Sequence, residues 1–287
     1  MTAIPIDAPL SGHDALLCDL DGVIYAGPDA IPGAVEAIAA VQAAGIAVGF
    51  VTNNASRPVE AVAEHLRSLG INTDAEHVFG SARAGARLAA ADALSRGIAR
   101  PTAMVVGADT LRHEVAAAGF DLVAVGAQAH PDYVIQGFDP GLGWSDLAAA
   151  AFAIQRGARW VASNTDATIP RAEGVAPGNG SLVDAVRRAV DVEPLVAGKP
   201  EPALMLLAAE ALGATRPMMV GDRLDTDVAG GNAAGFTSAL VLTGVHTADD
   251  AADAPDAQRP DVIVAGLGDL LLPSEHGTVA AAKAARA

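Results

Sequence analysis

Asp19-Leu20-Asp21-Gly22 follows the apolar run Ala15-Leu16-Leu17-Cys18 and precedes Val23-Ile24-Tyr25. A short apolar run closed by an Asp-Gly turn signal reads as a buried strand. A strand that ends in two carboxylates delivers both to the carboxyl edge of a sheet, where open α/β folds bind ligands. In an extended chain the Asp-x-Asp spacing aims the two side chains the same way. Two like charges that close repel each other and raise one pKa, unless a cation or a shared proton relieves them. A divalent cation is the simpler solution for a site that works near neutral pH. The competing reading is a plain Asp-Gly turn after an edge strand. The rest of the chain decides against it.

The 287 residues leave room for two domains or one large one and for a sizeable core. Aromatic residues are only 3%, so the core must be built from Ala, Val and Leu, which suits helices packed on a sheet. The formal net charge of −16 repels polyanions, and no Lys/Arg cluster offsets it, so no nucleic-acid partner is expected. The one cysteine, Cys18, falls inside the first strand and reads as a small buried hydrophobe; a disulfide framework is impossible. No uninterrupted apolar span of about 18 residues occurs, and the N-terminus lacks a basic region followed by a signal core. A soluble, cytoplasmic protein with no membrane partner is the expectation.

Working outward, residues 14–56 read as strand, loop, helix, strand, loop. The helix spans about 32–45, with Pro32 suited to a first turn and Gly45 to a stop. The strand 46–51 then ends at Thr52-Asn53-Asn54, and a helix over 59–69 closes at Gly70. Residues 104–190 repeat the alternation on their own: strands at 104–107, 122–125, 133–137 and 160–162, with helices between them. After Pro194 the first pattern is expected to resume, with Leu195-Val196-Ala197 leading to Gly198-Lys199-Pro200 and Met218-Met219-Val220 leading to Gly221-Asp222. Strands at 238–242 and 262–264 follow. The tail after Pro273 is Ala-rich and charged and reads as a fraying helix. Alternating units of this kind make an α/β protein with a Rossmann-like parallel sheet. The expected layout is a first core part at 1–97, an inserted α/β domain at 98–193 and a second core part at 194–287.

Four polar clusters each follow an apolar strand: Asp19 with Asp21, Thr52-Asn53-Asn54, Lys199, and Asp222 with Asp227. A parallel sheet brings all four to one edge. Only two lysines are present, Lys199 and Lys283, in a chain that otherwise uses Arg. A compact point charge suits a phosphate, or the carboxylate that attacks it. At 4 Å such a pair is worth about 4 kcal/mol at an effective dielectric of 20. Thr52-Asn53-Asn54 reads either as an anion cradle of a hydroxyl and backbone N–H groups or as an N-cap with turn residues. Gly221-Asp222-Arg223-Leu224-Asp225-Thr226-Asp227 sets three acids at a strand end, a set of hard oxygen ligands suited to Mg²⁺. Its bland alternative is an acidic first helical turn.

Asp-x-Asp-Gly, Thr-Asn-Asn, Gly-Lys-Pro and Gly-Asp-Arg-x-x-Thr-Asp, in this order, resemble the four motifs of the haloacid dehalogenase superfamily of phosphatases. The long interval between Thr52 and Lys199 is similar to the branch whose α/β cap domain is inserted between the second and third motifs. That branch holds nucleotide (NagD-like), pyridoxal-phosphate, phosphoglycolate and glycerol-3-phosphate phosphatases. The stretches 51–57, 143–147, 177–182 and 221–227 are most similar to the glycerol-3-phosphate phosphatases of mycobacteria.

The resemblance implies roles. Asp19 is the nucleophile that forms an aspartyl-phosphate. Asp21 is the acid that protonates the leaving alkoxide and then activates water. Thr52, Asn53, Asn54 and Lys199 hold the phosphoryl group. Asp19, the main-chain carbonyl of Asp21 and Asp222 bind Mg²⁺, with Asp227 behind them. Residues 163–170 are similar to the family's substrate-facing loop, which makes Asn164 and Asp166 substrate contacts. Pyridoxal phosphatases carry a ligand-contacting histidine near the position of Ile169, and its absence counts against that substrate. The implied substrate is a small phosphorylated metabolite, glycerol 3-phosphate or 2-phosphoglycolate first. Nucleotide, pyridoxal-phosphate or sugar phosphates are the alternatives within the family. A phosphomutase and a non-enzymatic phosphoacceptor are the alternatives outside this activity. Relatives often dimerise through the cap, which sets the expectation of a homodimer. Trp144 and Trp160 are expected in the cap core, and Gly178-Asn179-Gly180 reads as a turn at its base. None of the seven histidines forms an i, i+4 pair or neighbours the cysteine, so zinc is not indicated.

Overall fold

The leading apolar run forms the strand Ala15–Cys18, buried at every residue. In the computed structural model, which describes residues 4–171 and 173–273, this strand lies inside a six-stranded sheet. The tail after Pro273, read above as a fraying helix, lies outside the described residues. The order across the sheet is Val262–Val264, Thr237–Val241, Pro217–Gly221, Ala15–Cys18, Ala47–Thr52, Val78–Gly80. The pairings from Val262–Val264 across to Ala47–Thr52 are all parallel. Strands covered on both faces read as continuous apolar runs, which is why these were legible.

From Ala15–Cys18 the chain builds outward to one side, then returns at Pro217–Gly221 and builds outward to the other. The reversal falls between those two neighbours, the switch point at which open α/β sheets bind ligands. Register pairs Cys18 with Val220, and the Asp19 N–H donates to the Val220 carbonyl at 2.9 Å. Asp19 and Asp222 therefore leave adjacent strands side by side. The helix Ala34–Ala43 buries Ala37, Ile38 and Val41, one stripe at helical spacing, in a cluster that includes Val48 and Phe50 of the sheet. It stops at Gly45, whose φ of 81° suits a residue without Cβ.

Backbone contacts divide the chain into two compact units. One comprises Met1–Thr52, Val59–Phe79 and Lys199–Ala287; the other comprises Asn53–Pro58 and Gly80–Gly198. The second unit has its own five-stranded parallel sheet, ordered Leu195–Val196, Arg159–Ala162, Tyr133–Gln136, Thr102–Val106, Asp121–Val123. An antiparallel hairpin of Thr168–Arg171 with Gly174–Pro177 was not anticipated.

Both expected borders move, because packing and not chain position decides membership. The helix Ser81–Ser95, placed before the border at 98, packs Ala82, Ala86, Ala89 and Ala93 in one cluster with Val105, Tyr133 and Val161 of the second sheet. Leu195–Val196, read as the return to the first unit, pairs with Val161 and Ala162 of the second sheet. Trp160 is buried, and its indole N–H donates to the Gln136 side-chain oxygen at 3.1 Å. Trp144, expected in the core, is 81% exposed. It opens the helix Trp144–Gln155, a full turn before the buried stripe of Ala149, Ala150, Ala153 and Ile154 begins. Gly178-Asn179-Gly180 is the start of the helix Asn179–Arg187 and not a free turn.

Asp14, just ahead of the first strand, accepts hydrogen bonds from the Thr215 hydroxyl at 2.6 Å and from the N–H groups of Thr215 and Arg216 at 2.8 Å each. The Thr215 hydroxyl is the largest cause holding its carboxyl down at about 2. A folded-state value below the unfolded one gives stability that is complete above pH ~4 and lost as the pH falls toward 2. Asp14→Ala should therefore lower stability at pH 7 by about 1 kcal/mol, the net worth of solvent-screened hydrogen bonds. Thermal melts of both proteins should converge as the pH drops below ~4; a gap that stays constant with pH contradicts this role.

Candidate active site

Four side chains from three stretches of the first unit meet at the switch point. Lys199 donates from Nζ to Asp19 Oδ1 at 2.5 Å and to Asp227 Oδ1 at 2.7 Å. Its side chain is 4% exposed, that of Asp19 13% and that of Asp227 1%. Asp222 follows Pro217–Gly221 directly and is buried. Its Oδ2 accepts the Val245 N–H at 2.8 Å, whereas its Oδ1 is buried without a hydrogen-bond partner. Asp227 sits on the wide helical turn Leu224–Val228, and its Oδ2 accepts the Arg223 N–H at 3.1 Å. One carboxylate oxygen from each of Asp19, Asp222 and Asp227 lies within 4.8 Å of the others.

Close approach explains the glycines here. A Cβ on Gly221 would overlap the Asp227 carboxyl, and one on Gly244 would overlap that of Asp222. Gly22 turns the chain after Asp21 with φ 81°, and a Cβ there would come within 2.5 Å of Asp222 Oδ2. The Thr243 hydroxyl donates to the Gly22 carbonyl at 2.6 Å and pins this turn. Asp21 itself is exposed. Thr243, Gly244 and Val245 were not singled out from the sequence. Their signal was a Thr-Gly pair soon after an apolar strand.

Three carboxylates gathered around one ammonium leave two negative charges uncompensated when all are ionised. Burial, and then the Asp19 charge, push the Asp222 carboxyl up from its ordinary value. Burial also pushes Asp227 up, with Asp19 adding and Lys199 opposing. For Lys199, burial pulls the ammonium down, but the charges of Asp19 and Asp227 outweigh it and hold the group above its ordinary value. Lys199 is therefore the charged partner in a buried network.

The surplus charge and the orphaned Asp222 oxygen fit a hard divalent cation. Mg²⁺ takes oxygen ligands, commonly one or two carboxylates with waters and a substrate phosphate. Asp227 already has both oxygens engaged, by Lys199 and by the Arg223 N–H. That leaves Asp19 and Asp222 as the pair that could hold such an ion, with Asp227 bonded to the lysine.

The remaining expected site residues divide between the units. Thr52 ends the strand Ala47–Thr52 in the first unit, partly buried. Asn53, Asn54, Asn164 and Asp166 belong to the second. There Asn53 Nδ2 donates to Asp166 Oδ1 at 2.8 Å, and Asn164 Nδ2 donates to the Asn53 carbonyl at 2.7 Å. Asn54 Oδ1 accepts the Ser56 N–H at 2.9 Å and the Ser56 hydroxyl at 2.8 Å, an Asx-type turn.

Two substitutions separate the roles of the acids. Asp222→Asn removes one crowded charge, so the metal-free protein should melt at the same temperature or higher, while the stabilisation by millimolar Mg²⁺ disappears. Asp227→Ala takes a buried partner from Lys199 and should cost about 3–5 kcal/mol. Thermal melts with and without Mg²⁺ read both; equal destabilisation by the two variants contradicts the assignment.

Comparison with known proteins agrees with this geometry. The family description "Haloacid dehalogenase-like hydrolase" matches residues 16–121, and "HAD-hydrolase-like" matches residues 196–270. The D-glycerol 3-phosphate phosphatase of Mycobacterium tuberculosis is 47% identical over 251 residues, 88% of this chain and 69% of that protein. The acid sugar phosphatase of Staphylococcus aureus is 36% identical over 240 residues, 83% of this chain and 90% of that protein. Among solved structures, the M. tuberculosis glycerol phosphate phosphatase in complex with magnesium superposes with a TM-score of 0.85 at 44% identity, over 93% of this chain and 79% of that one. A 4-nitrophenylphosphatase from Thermotoga maritima gives 0.79 at 30% identity, over 90% and 96%. Neither the phosphoacceptor nor the phosphomutase reading finds a counterpart among these relatives. Motifs, sheet topology and relatives coincide, and the chain belongs to the haloacid dehalogenase-like hydrolases.

Proposed function

We propose that this protein is a Mg²⁺-dependent phosphatase that hydrolyses a small phosphate monoester, glycerol 3-phosphate first, through an aspartyl-phosphate on Asp19. The observation that carries this reading is the buried Asp19–Lys199–Asp227 network beside an Asp222 oxygen with no partner. Phosphoryl transfer asks for charge neutralisation and in-line positioning more than for new covalent partners. Lys199 holds one Asp19 oxygen and leaves the carboxylate to attack phosphorus. Asp21, exposed two residues on, gives its proton to the leaving alkoxide. It then takes a proton from the water that opens the aspartyl-phosphate, releasing inorganic phosphate and restoring Asp19. Asp19, Asp222 and the Asp21 carbonyl would hold Mg²⁺, which supplies positive charge against the phosphoryl oxygens. Thr52, at the end of the strand Ala47–Thr52 in the first unit, supplies a hydrogen-bond donor for the same oxygens.

We read the second unit as the cap of this family, a device that favours small esters over phosphoproteins. The 47% identity to a D-glycerol 3-phosphate phosphatase supports glycerol 3-phosphate over 2-phosphoglycolate. No helix among the described residues is long and apolar enough to cross a membrane. The net charge of −16 disfavours a nucleic-acid partner.

Release of free phosphate from a panel of glycerol, glycolate, pyridoxal, sugar and nucleotide phosphates tests this. Glycerol 3-phosphate should give the highest kcat/KM; a nucleotide in first place contradicts the substrate assignment. Asp19→Asn should lower turnover by about 10³-fold or more, about 4 kcal/mol of transition-state stabilisation. Appreciable activity in that variant removes Asp19 as nucleophile.

A further inference from the structure

We infer that Asn164 and Asp166 are positioning residues for the turn after Thr52, not ligands of the substrate; the inference rests on the phosphatase reading above. In the second unit the Asn53 carbonyl accepts two hydrogen bonds, from Asn164 Nδ2 at 2.7 Å and from the Ser81 hydroxyl at 2.5 Å. The Asn53 carboxamide donates to Asp166 at 2.8 Å. Asn164 is 4% exposed, and its other end, Oδ1, accepts the Asp166 N–H at 3.2 Å. Both ends of this carboxamide are engaged with protein, so it reaches a ligand only by releasing Asn53.

The loop that carries these two residues is itself pinned by the start of the helix Asn179–Arg187. Asn179 Nδ2 donates to the Asn164 carbonyl at 2.7 Å, and the Gly180 N–H donates to the Asp166 carbonyl at 2.8 Å. The Gly178 N–H and the Ser181 hydroxyl both donate to the Ala167 carbonyl at 2.8 Å. A Cβ on Gly178 would overlap the Asp166 carbonyl, and one on Gly180 the Thr165 carbonyl, so both glycines are needed for the helix to come this close. The helix start, the loop and Asn53 thus form one continuous hydrogen-bonded chain.

Two covalent neighbours of the expected phosphate-holding groups meet this network. Asn53 is bonded to Thr52. Gly198 is bonded to Lys199, and a Cβ on Gly198 would lie 2.7 Å from Asn53 Oδ1 and 2.9 Å from Asn164 Cβ. The Asn53–Asn164 pair therefore fixes the backbone at the residues adjoining Thr52 and Lys199. A misplacement of about 1 Å in groups that hold a reacting phosphoryl can cost about 10²-fold in rate.

The test is a set of variants assayed on esters that share the phosphoryl group but differ in the leaving group, glycerol 3-phosphate and 4-nitrophenyl phosphate among them. Asn164→Asp keeps the shape and turns the donor into an acceptor facing the Asn53 carbonyl. It should lower kcat about 10- to 100-fold on every ester by a similar factor, with KM changed less. Asp166→Ala should do the same, and Asp166→Asn, which keeps an acceptor for Asn53, should restore most of the loss. The double variant Asn53→Ala/Asp166→Ala should be no slower than Asn53→Ala alone. Should Asn164→Asp fail to fold, the Asp166 series and the double variant decide the question. Loss confined to glycerol 3-phosphate, or effects of Asn53→Ala and Asp166→Ala that multiply, overturn the positioning role and restore direct substrate contact. A wild-type protein that releases no phosphate from any ester overturns the phosphatase reading itself, and this inference with it.

Discussion

A single buried ammonium, shared between Asp19 and Asp227, is the interaction on which the first unit's chemistry depends. Lys199 carries the one lysine charge among the described residues, and two carboxylates bracket it at hydrogen-bond distance. A buried pair of this kind is weak as a source of net stability, because desolvation offsets most of the Coulomb gain. Its value lies in placement. Removing either partner leaves a charge uncompensated in the interior, so the three groups hold one another in register. An ammonium suits the position better than a guanidinium, being a compact charge that can face two carboxylates at once.

The acids around that ammonium divide their work by what their second oxygen does. Asp227 closes onto the backbone at Arg223 and serves the lysine. Asp222 keeps one buried oxygen without a partner, beside Asp19. Backbone closeness makes this possible: Gly22, Gly221 and Gly244 stand where any Cβ would displace a carboxylate. In the second unit a different chemistry gives the same rigidity. Neutral carboxamides, a serine hydroxyl and a helix start tie the loop at Asn164 to the turn at Asn53. Charge sets the geometry in one unit and hydrogen-bond geometry sets it in the other.

Much of this was legible in the amino-acid order. Strands that are buried on both faces announce themselves as apolar runs, and polar clusters at their ends announce the sheet edge. Lys199 stood out because the chain uses lysine almost nowhere else. Tertiary assignment is not written in the pattern. The apolar pattern of Leu195-Val196 and of residues 81–95 says that they are buried, not against which sheet. Trp144, expected in the cap core, stands ahead of the helix's buried stripe and is exposed. Gly244 was invisible because its reason is a carboxylate that arrives from Asp222, distant in the chain. Likewise a motif names the loop that holds Asn164 and Asp166, but only coordinates show where an amide points.

The most direct measurement is an anomalous-scattering map from crystals soaked with Mn²⁺ as a stand-in for Mg²⁺. One strong peak should lie within coordination distance of both the Asp19 and Asp222 carboxylates, with Asp227 still bonded to Lys199, and it should vanish in Asp222→Asn crystals. A peak elsewhere, or an ion held by Asp227 while Asp222 Oδ1 stays unengaged, would contradict the shared-cation site.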